Sequence, residues 1–380
     1  MRILIWTDAY WPEIGGLEVF CMRLATALQN RGHDCLVIAN RNYPGNGGLK
    51  WHGEIAVHGF HFIRNRQNGD LAALRRDHLA CVQIISEFKP EIIHLNAISR
   101  SLLNFILLQR GQRYPAVLTL HDPHVFAIKS ILAPLMENVD RLVAISEYVR
   151  KETASAFPSA EAKLGKIVNA LPDTSLPPSP VPDHQKILGF GRLVGDKGFD
   201  VLIKAFARIA PEFPGVTLTL AGDGVERPAL EKLAGNSGCG ERIYFMGWVL
   251  PDKMPEVILA HQMVVVPSRW QEPFGLVALQ ALQEGRPVIA STAGGLPEIV
   301  SDGETGRLFE NENDLELAAC LRQLLSDPAL AARMGEKGRE RAWKFFAFED
   351  FVRAYENLFM KVVDESRNHD GSGSSLPVME

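Results

Sequence analysis

The chain has 380 residues, 46% apolar and 22% charged, with a formal net charge of −5. That is an ordinary globular mixture, long enough for two or three domains and too apolar for a disordered chain. A sequence pI near 6.2 and the lack of a basic tract interleaved with aromatics argue against a nucleic-acid partner, and no stretch reaches transmembrane length.

Cysteines 21, 35, 81, 239 and 320 show neither CxxC nor zinc-ligand spacing, so reduced cytoplasmic thiols are expected. The opening Met1-Arg-Ile-Leu-Ile-Trp lacks the shape of a signal peptide and reads as a first strand. Residues 1–172 carry a net +4 and the remainder −9. The mild basic excess is compatible with peripheral contact at the inner face of a membrane but too small to specify it.

Arg2 to Thr7 reads as a strand, followed by a long loop ending in Gly15-Gly16. Glu18 to Arg31 reads as a helix with Val19, Met22, Leu24, Ala25 and Leu28 on its apolar side, and Cys35 to Ala39 as the next strand: a βαβ start. Gly15-Gly16 is either plain loop geometry or a backbone approach to a ligand phosphate. It is not a dinucleotide fingerprint, since GxGxxG is absent. Asn40 to Gly53 is glycine-rich and reads as a mobile loop, Ile55 to Arg64 as one or two strands, and Leu71 to Phe88 as a helix. Strands at Glu91–Leu95 and Ala116–Leu120 flank a helix from Ser99 to about Gln112.

His121-Asp122-Pro123-His124 stands directly after a strand. The histidine pair could suggest a metal site, but Pro123 forbids a helix interior there and no third ligand is indicated, so no metal is expected. Helix Ile128–Val139, strand Arg141–Ile145 and a helix capped by Ser146 follow. Residues 1–172 thus form one Rossmann-like domain. Pro172 to Asp183 holds five prolines among twelve residues, so 173–185 reads as a stiff linker and hinge.

A second domain, 186–344, starts with strand Lys186–Gly189 and the turn Gly191-Arg192…Lys197-Gly198. Arg192 and Lys197 are either surface cations or a clamp that neutralises a departing diphosphate. Strand Val216–Ala221 runs into Gly222-Asp-Gly224, and Ile243–Met246 into Gly247-Trp-Val249. Val264 to Val266 is a buried strand, Leu276 to Leu282 a helix with a left-handed C-cap at Gly285, and Pro287 restarts a strand. Glu272, Pro273, Phe274, Gly275 and Leu276 therefore lie between a strand end and a helix start, where open parallel sheets bind ligands and helix-start amides favour anions. Glu272 is either a charge on the helix dipole or a carboxylate aimed at sugar hydroxyls. The aromatic run Trp343 to Phe359 is too apolar for solvent. Residues 345–364 are expected as a helix recrossing to the first domain, and 365–380 as a disordered tail.

Taken in register over about residues 2–360, and most strongly over 189–306, these motifs resemble the family 4 retaining glycosyltransferases (group 1 type). The resemblance implies the GT-B architecture: two Rossmann-like, doubly wound α/β domains facing across a cleft. It implies that Gly15 and Gly16 lie near the donor phosphates and acceptor, that His121 meets the transferring sugar, and that Arg192 and Lys197, with Gly191, hold the diphosphate. Gly222, Gly224 and Val249 would line the base region, and Glu272 would contact the donor sugar, with Phe274, Gly275 and Leu276 at the phosphate. The Glu-x7-Glu signature departs at its second half, where Gln280 replaces the glutamate that holds the ribose hydroxyls. An amide can still accept and donate, without the strength of a charged partner.

The implied activity is metal-independent transfer of a sugar, with retention, from a nucleotide-sugar to a sugar, glycolipid or small-molecule hydroxyl. A UDP-sugar is favoured over a GDP-sugar. The nucleotide-sugar is a co-substrate, so no cofactor is implied, and homo-oligomerisation is left open. Closure across the proline-rich hinge would exclude water. A nucleotide-sugar epimerase of the same architecture and a non-catalytic sugar-nucleotide-binding subunit are the alternatives.

Overall fold

The computed structural model describes residues 1–10, 15–41, 48–96, 103–123, 129–173, 176–177, 179–182 and 185–371. They divide into two units, residues 1–168 with 349–380 and residues 169–348.

Unit one is built on β1 (Arg2–Thr7), β2 (Asp34–Asn40), β3 (Gly48–His52), β4 (Ile55–Phe60), β5 (Ile92–Asn96), β6 (Ala116–Leu120), β7 (Arg141–Ala144) and β8 (Leu164–Lys166), in the order β3-β4-β2-β1-β5-β6-β7-β8. Every pairing is parallel except that of β3 with β4. Residues Ile92 to Asn96 and Ala116 to Leu120 are wholly buried, as strands covered on both faces must be. The helices are α1 (Gly16–Asn30), α2 (Phe62–Gln67), α3 (Leu71–Phe88), α4 (Leu103–Gly111), α5 (Lys129–Glu137) and α6 (Glu147–Ala156). Phe20, Cys21, Leu24, Ala25 and Leu28 form the buried face of α1. Ser146 caps α6 by accepting from the Val149 amide at 3.1 Å.

Two segments differ from the sequence expectation. Gly48–His52, expected within a loop, pairs with β4 as an edge strand. Phe62–Gln67, expected as strand as far as Arg64, is helical: Phe62 is buried against Phe60 and Trp6, and Asn40 accepts from the Ile63 amide. The helix depends on Trp6 and Asn40, distant in sequence, whereas β3 is held by its hairpin partner β4 and has no apolar alternation of its own.

Unit two is a parallel sheet of β9 (Lys186–Phe190), β10 (Thr217–Ala221), β11 (Ile243–Gly247), β12 (Met263–Val266), β13 (Val288–Ser291) and β14 (Gly306–Phe309), in the order β11-β10-β9-β12-β13-β14. Its helices are α7 (Phe199–Ile209), α8 (Arg227–Gly235), α9 (Met254–Leu259), α10 (Leu276–Gln283), α11 (Leu296–Ile299), α12 (Asp314–Ser326) and α13 (Pro328–Phe345). Leu202, Phe206 and Ile209 of α7 and Leu317, Leu321 and Leu324 of α12 share one buried cluster with the β9 and β12 residues Ile187, Met263 and Val265.

The stretch expected as a stiff linker and hinge is partly tied to unit two. Gln283 donates to the Leu171 carbonyl at 3.0 Å, and the Arg286 guanidinium, itself buried, donates to the Ser179 carbonyl at 3.0 Å. The division accordingly falls at Val168 rather than at residue 172.

The last helix, α14 (Phe348–Gly371), enters the stretch expected to lack structure; residues 372–380 lie outside the described residues. Tyr355 is fully buried with its hydroxyl 3.1 Å from Thr119 Oγ1, and Phe351 and Tyr355 pack edge-on to Phe20 of α1. Glu356 pairs with Arg31 and His33, Glu365 with Arg141, and Arg367 with Glu91. The helix continues past residue 364, where composition alone suggested disorder, and there Glu365 and Arg367 pair with Arg141 and Glu91.

Candidate active site

In unit two the strand order reverses between β9 and β12, the position at which open α/β sheets bind ligands. The segment after β9 makes a short turn carrying Lys197 and ends at Gly198, which has φ +66°. A Cβ on Gly198 would lie 2.0 Å from the Pro267 carbonyl oxygen, so glycine lets this turn press against the end of β12. The Arg269 and Trp270 amides both donate to the Asp196 carbonyl, at 2.9 and 3.1 Å. The Arg269 guanidinium donates to the Gly195 carbonyl and pairs with Asp200 and Glu312. Two loops distant in sequence are thereby stitched together.

That stitching brings Lys197 Nζ to 2.5 Å from Glu272 Oε1, an oxygen that also accepts from Ser268 Oγ at 2.5 Å. Both charged side chains are largely buried, at 23% and 13% exposure, so the pair is only partly screened. The third strand end holds the Glu272 backbone: its carbonyl accepts from the Gly295 amide at 2.7 Å, and Gln271 Oε1 accepts from the Gly294 amide at 2.8 Å. Gly294 has φ +61°, and a Cβ there would lie 2.3 Å from the Glu272 carbonyl oxygen.

Arg192 is exposed, with no side-chain partner among the described residues. An unpaired guanidinium beside the same turn is available to an anion. Phe274 is buried against Phe346, and Gly275, with φ +108°, opens α10 at Leu276. The first amides of that helix have no intrahelical acceptor. Gln280 is half-buried on α10, and its side chain has no partner among the described residues; Glu284, one turn on, is buried. Gly191, Gly222 and Gly224 serve backbone packing: a Cβ on Gly222 would lie 1.8 Å from the Gly191 carbonyl oxygen, and one on Gly224 2.3 Å from that of Leu193. Val249, just beyond the edge strand β11, is half-buried and separated from β12 by two strands.

In unit one, Gly15 precedes α1 and Gly16 is its first residue. Gly15 is extended, and a Cβ there would lie 2.5 Å from Glu18 Oε2, so its job in this fold is to give Glu18 room at the helix start. His121 follows β6 and is half-buried, with Nε2 3.2 Å from Asn96 Oδ1 and its ring edge-on to Phe20 at 4.5 Å. Burial pulls the His121 pKa down to about 3, so the ring is neutral. His94 lies fully buried nearby with Nε2 2.8 Å from Thr119 Oγ1, and burial holds it well below the ordinary histidine range. His124 lies outside the described residues. Among the described residues no group of three or more His, Cys, Asp or Glu is placed to hold a metal ion, and no helix is long and apolar enough to cross a membrane.

Sequence reasoning missed Asn96, Ser268 and Arg269. Each stands at or just past the end of a buried strand, and that position is the only signal they gave.

Two Rossmann-like, doubly wound α/β units are the architecture of the GT-B glycosyltransferases. The Glycosyltransferase Family 4 model matches residues 14–172 and the Glycosyl transferases group 1 model residues 177–341. The chain belongs to the family 4 glycosyltransferases. It is 27% identical to a glycogen synthase of Mycobacterium tuberculosis over 100% of the chain and 99% of that protein. It is 26% identical to N-acetyl-alpha-D-glucosaminyl L-malate synthase of Bacillus anthracis, over 97% and 99%. Among solved structures, sucrose-phosphate synthase of Thermosynechococcus elongatus superposes with TM-score 0.81 at 22% identity, covering 96% of this chain and 100% of that one. Anabaena HepE with UDP and glucose gives 0.75 at 23%, covering 95% and 99%.

Proposed function

We propose that the chain is a retaining, metal-independent glycosyltransferase that takes its sugar from a nucleotide-sugar, with UDP-sugars favoured. The observation that carries this reading is the Lys197–Glu272 pair at the β9/β12 switch point with Arg192 unpaired beside it. Arg192 and Lys197 supply fixed positive charge for a departing diphosphate, which is the role a divalent ion would otherwise fill. When phosphate takes Lys197, the Glu272 carboxylate is released to accept from sugar hydroxyls while Ser268 holds it in place.

Phe274, Gly275 and Leu276 present amides to the phosphates, Gln280 meets the ribose, and Gly222, Gly224 and Val249 form the base region. Gly15 and Gly16 are assigned to the donor phosphates and acceptor, and His121 to the transferring sugar as a neutral ring. The leaving phosphate takes the acceptor proton, so no protein base is assigned. The UDP bound in HepE supports the choice of nucleotide. The acceptor is a sugar, glycolipid or small-molecule hydroxyl in glycoconjugate synthesis, as the names of the relatives suggest.

The test mixes purified protein with a panel of UDP- and GDP-sugars and a candidate acceptor, against a heat-killed control. Release of nucleoside diphosphate that survives EDTA, and a product with the donor's anomeric configuration by proton NMR, is the expected result. Inversion, or activity abolished by EDTA and restored by a divalent ion, overturns the corresponding part.

A further inference from the structure

We infer that Asn96 is a positioning residue that holds His121 as the neutral tautomer protonated on Nε2, so that Nδ1 offers a lone pair to a hydroxyl of the transferring sugar. This rests on the sugar-facing role proposed for His121 above.

The argument begins with the amide. Asn96 is buried at the end of β5, and its Nδ2 points to the His94 carbonyl oxygen at 3.5 Å. The opposite amide orientation would set oxygen against that carbonyl oxygen, a repulsive contact in a site closed to water. Asn96 Oδ1 is therefore the atom that faces His121 Nε2 at 3.2 Å. A carbonyl oxygen can only accept, so the proton must sit on Nε2. In a neutral imidazole the other nitrogen then carries the lone pair. Nδ1 has no hydrogen-bond partner among the described residues, and the ring keeps some exposure to solvent, so a sugar hydroxyl can reach it.

The ring orientation is fixed as firmly as the proton. Turning the imidazole over would present Cε1 to Asn96 and forfeit the bond. Phe20 packs edge-on at 4.5 Å and is itself held by Phe351 and Tyr355 at 5.5 and 5.8 Å. The consequence is selective. His121 can accept from an O–H group, but it has no second N–H to give to a phosphate or a ring oxygen. Its depressed basicity makes it a hydrogen-bond acceptor rather than a proton acceptor.

The experiment is long-range proton–nitrogen NMR of the full-length protein labelled with ¹⁵N-histidine at neutral pH. The His121 signals are assigned by their loss in His121→Gln. The expected wild-type pattern is protonated Nε2 and unprotonated Nδ1. Asn96→Asp keeps an acceptor in place and should keep that pattern, whereas Asn96→Leu should give a mixture of tautomers or Nδ1–H. In turnover assays Asn96→Leu should lower kcat about 10-fold, and Asn96→Asp should recover most of it. Nδ1–H in the wild type, or an unchanged tautomer in Asn96→Leu, overturns the inference. If Asn96→Leu does not fold, the wild-type and Asn96→Asp spectra decide alone. The expected tautomer in a protein that turns over no nucleotide-sugar overturns the proposed function; turnover with the wrong tautomer overturns only the role of Asn96.

Discussion

Lys197 and Glu272 each neutralise the other at 2.5 Å, so substrate must compete for both. Arg192→Ala removes a fork of charged donors and should cost about 2–4 kcal/mol in the transition state, roughly 30- to 1000-fold in turnover. Lys197→Ala should cost as much and also leave the largely buried Glu272 carboxylate with Ser268 alone. Steady-state kinetics on both variants check this, and unchanged constants would remove these residues from the phosphate site. Gln280 bears a second prediction. Gln280→Glu should tighten nucleoside diphosphate binding by about 5- to 30-fold. It should lower thermal stability without ligand, because the new carboxylate stands one turn from buried Glu284 on α10. Calorimetry showing equal dissociation constants for wild type, Gln280→Glu and Gln280→Ala would place this position off the donor. Glu272 and Lys197 were legible in sequence because each sits in a local motif of glycine and charge. Ser268, Arg269 and Asn96 were not, because each acts on a residue brought near only by sheet order.

At the scale of elements, the core strands of both sheets were legible as short apolar runs, whereas their order in each sheet is set by tertiary pairing. The edge strand Gly48–His52 was not, since three of its five residues face solvent and its partner β4 supplies the pattern. The glycines were legible as turns, but their reasons were not. At Gly198 and Gly294 the reason is another loop's backbone lying where a side chain would go. Gly294→Ala adds positive-φ strain to a 2.3 Å approach to the Glu272 carbonyl oxygen, so the loop after β12 must move. The β9/β12 core beneath does not depend on that turn, so the variant should fold. Nucleotide-induced stabilisation in a thermal-shift assay should fall by more than the melting temperature of the free protein does. A full nucleotide response in Gly294→Ala would mean the Glu272 loop tolerates displacement and is not the binding element.

Within unit one, α14 packs on α1, β5 and β6 through Phe351, Phe359 and Tyr355. Beneath it lie two histidines kept neutral by burial, His94 and His121. The sign of the linkage follows. Their folded-state pKa values lie below the unfolded value near 6.5, that of His121 at about 3, so as pH falls below 6.5 the unfolded chain binds more protons. The stability of unit one is therefore full above pH 6.5 and declines as pH falls, by up to about 1.4 kcal/mol per unit for each such group. Glu356 acts in the same direction at lower pH. His33 and Arg31 hold its carboxyl below the usual range, so its contribution is present above the unfolded carboxylate value and is lost as the group protonates. Acid should thus loosen the seat of α14. Hydrogen exchange at pH 7 and pH 4.5, corrected for intrinsic rates, should show reduced protection in β5, β6 and α14 at the lower pH. His94→Gln, which cannot take up the proton, should narrow that difference even if the variant is less stable overall. Equal protection at both pH values would mean that the buried rings take up protons in the folded state as readily as in the unfolded chain, so that burial is not what keeps His94 and His121 neutral.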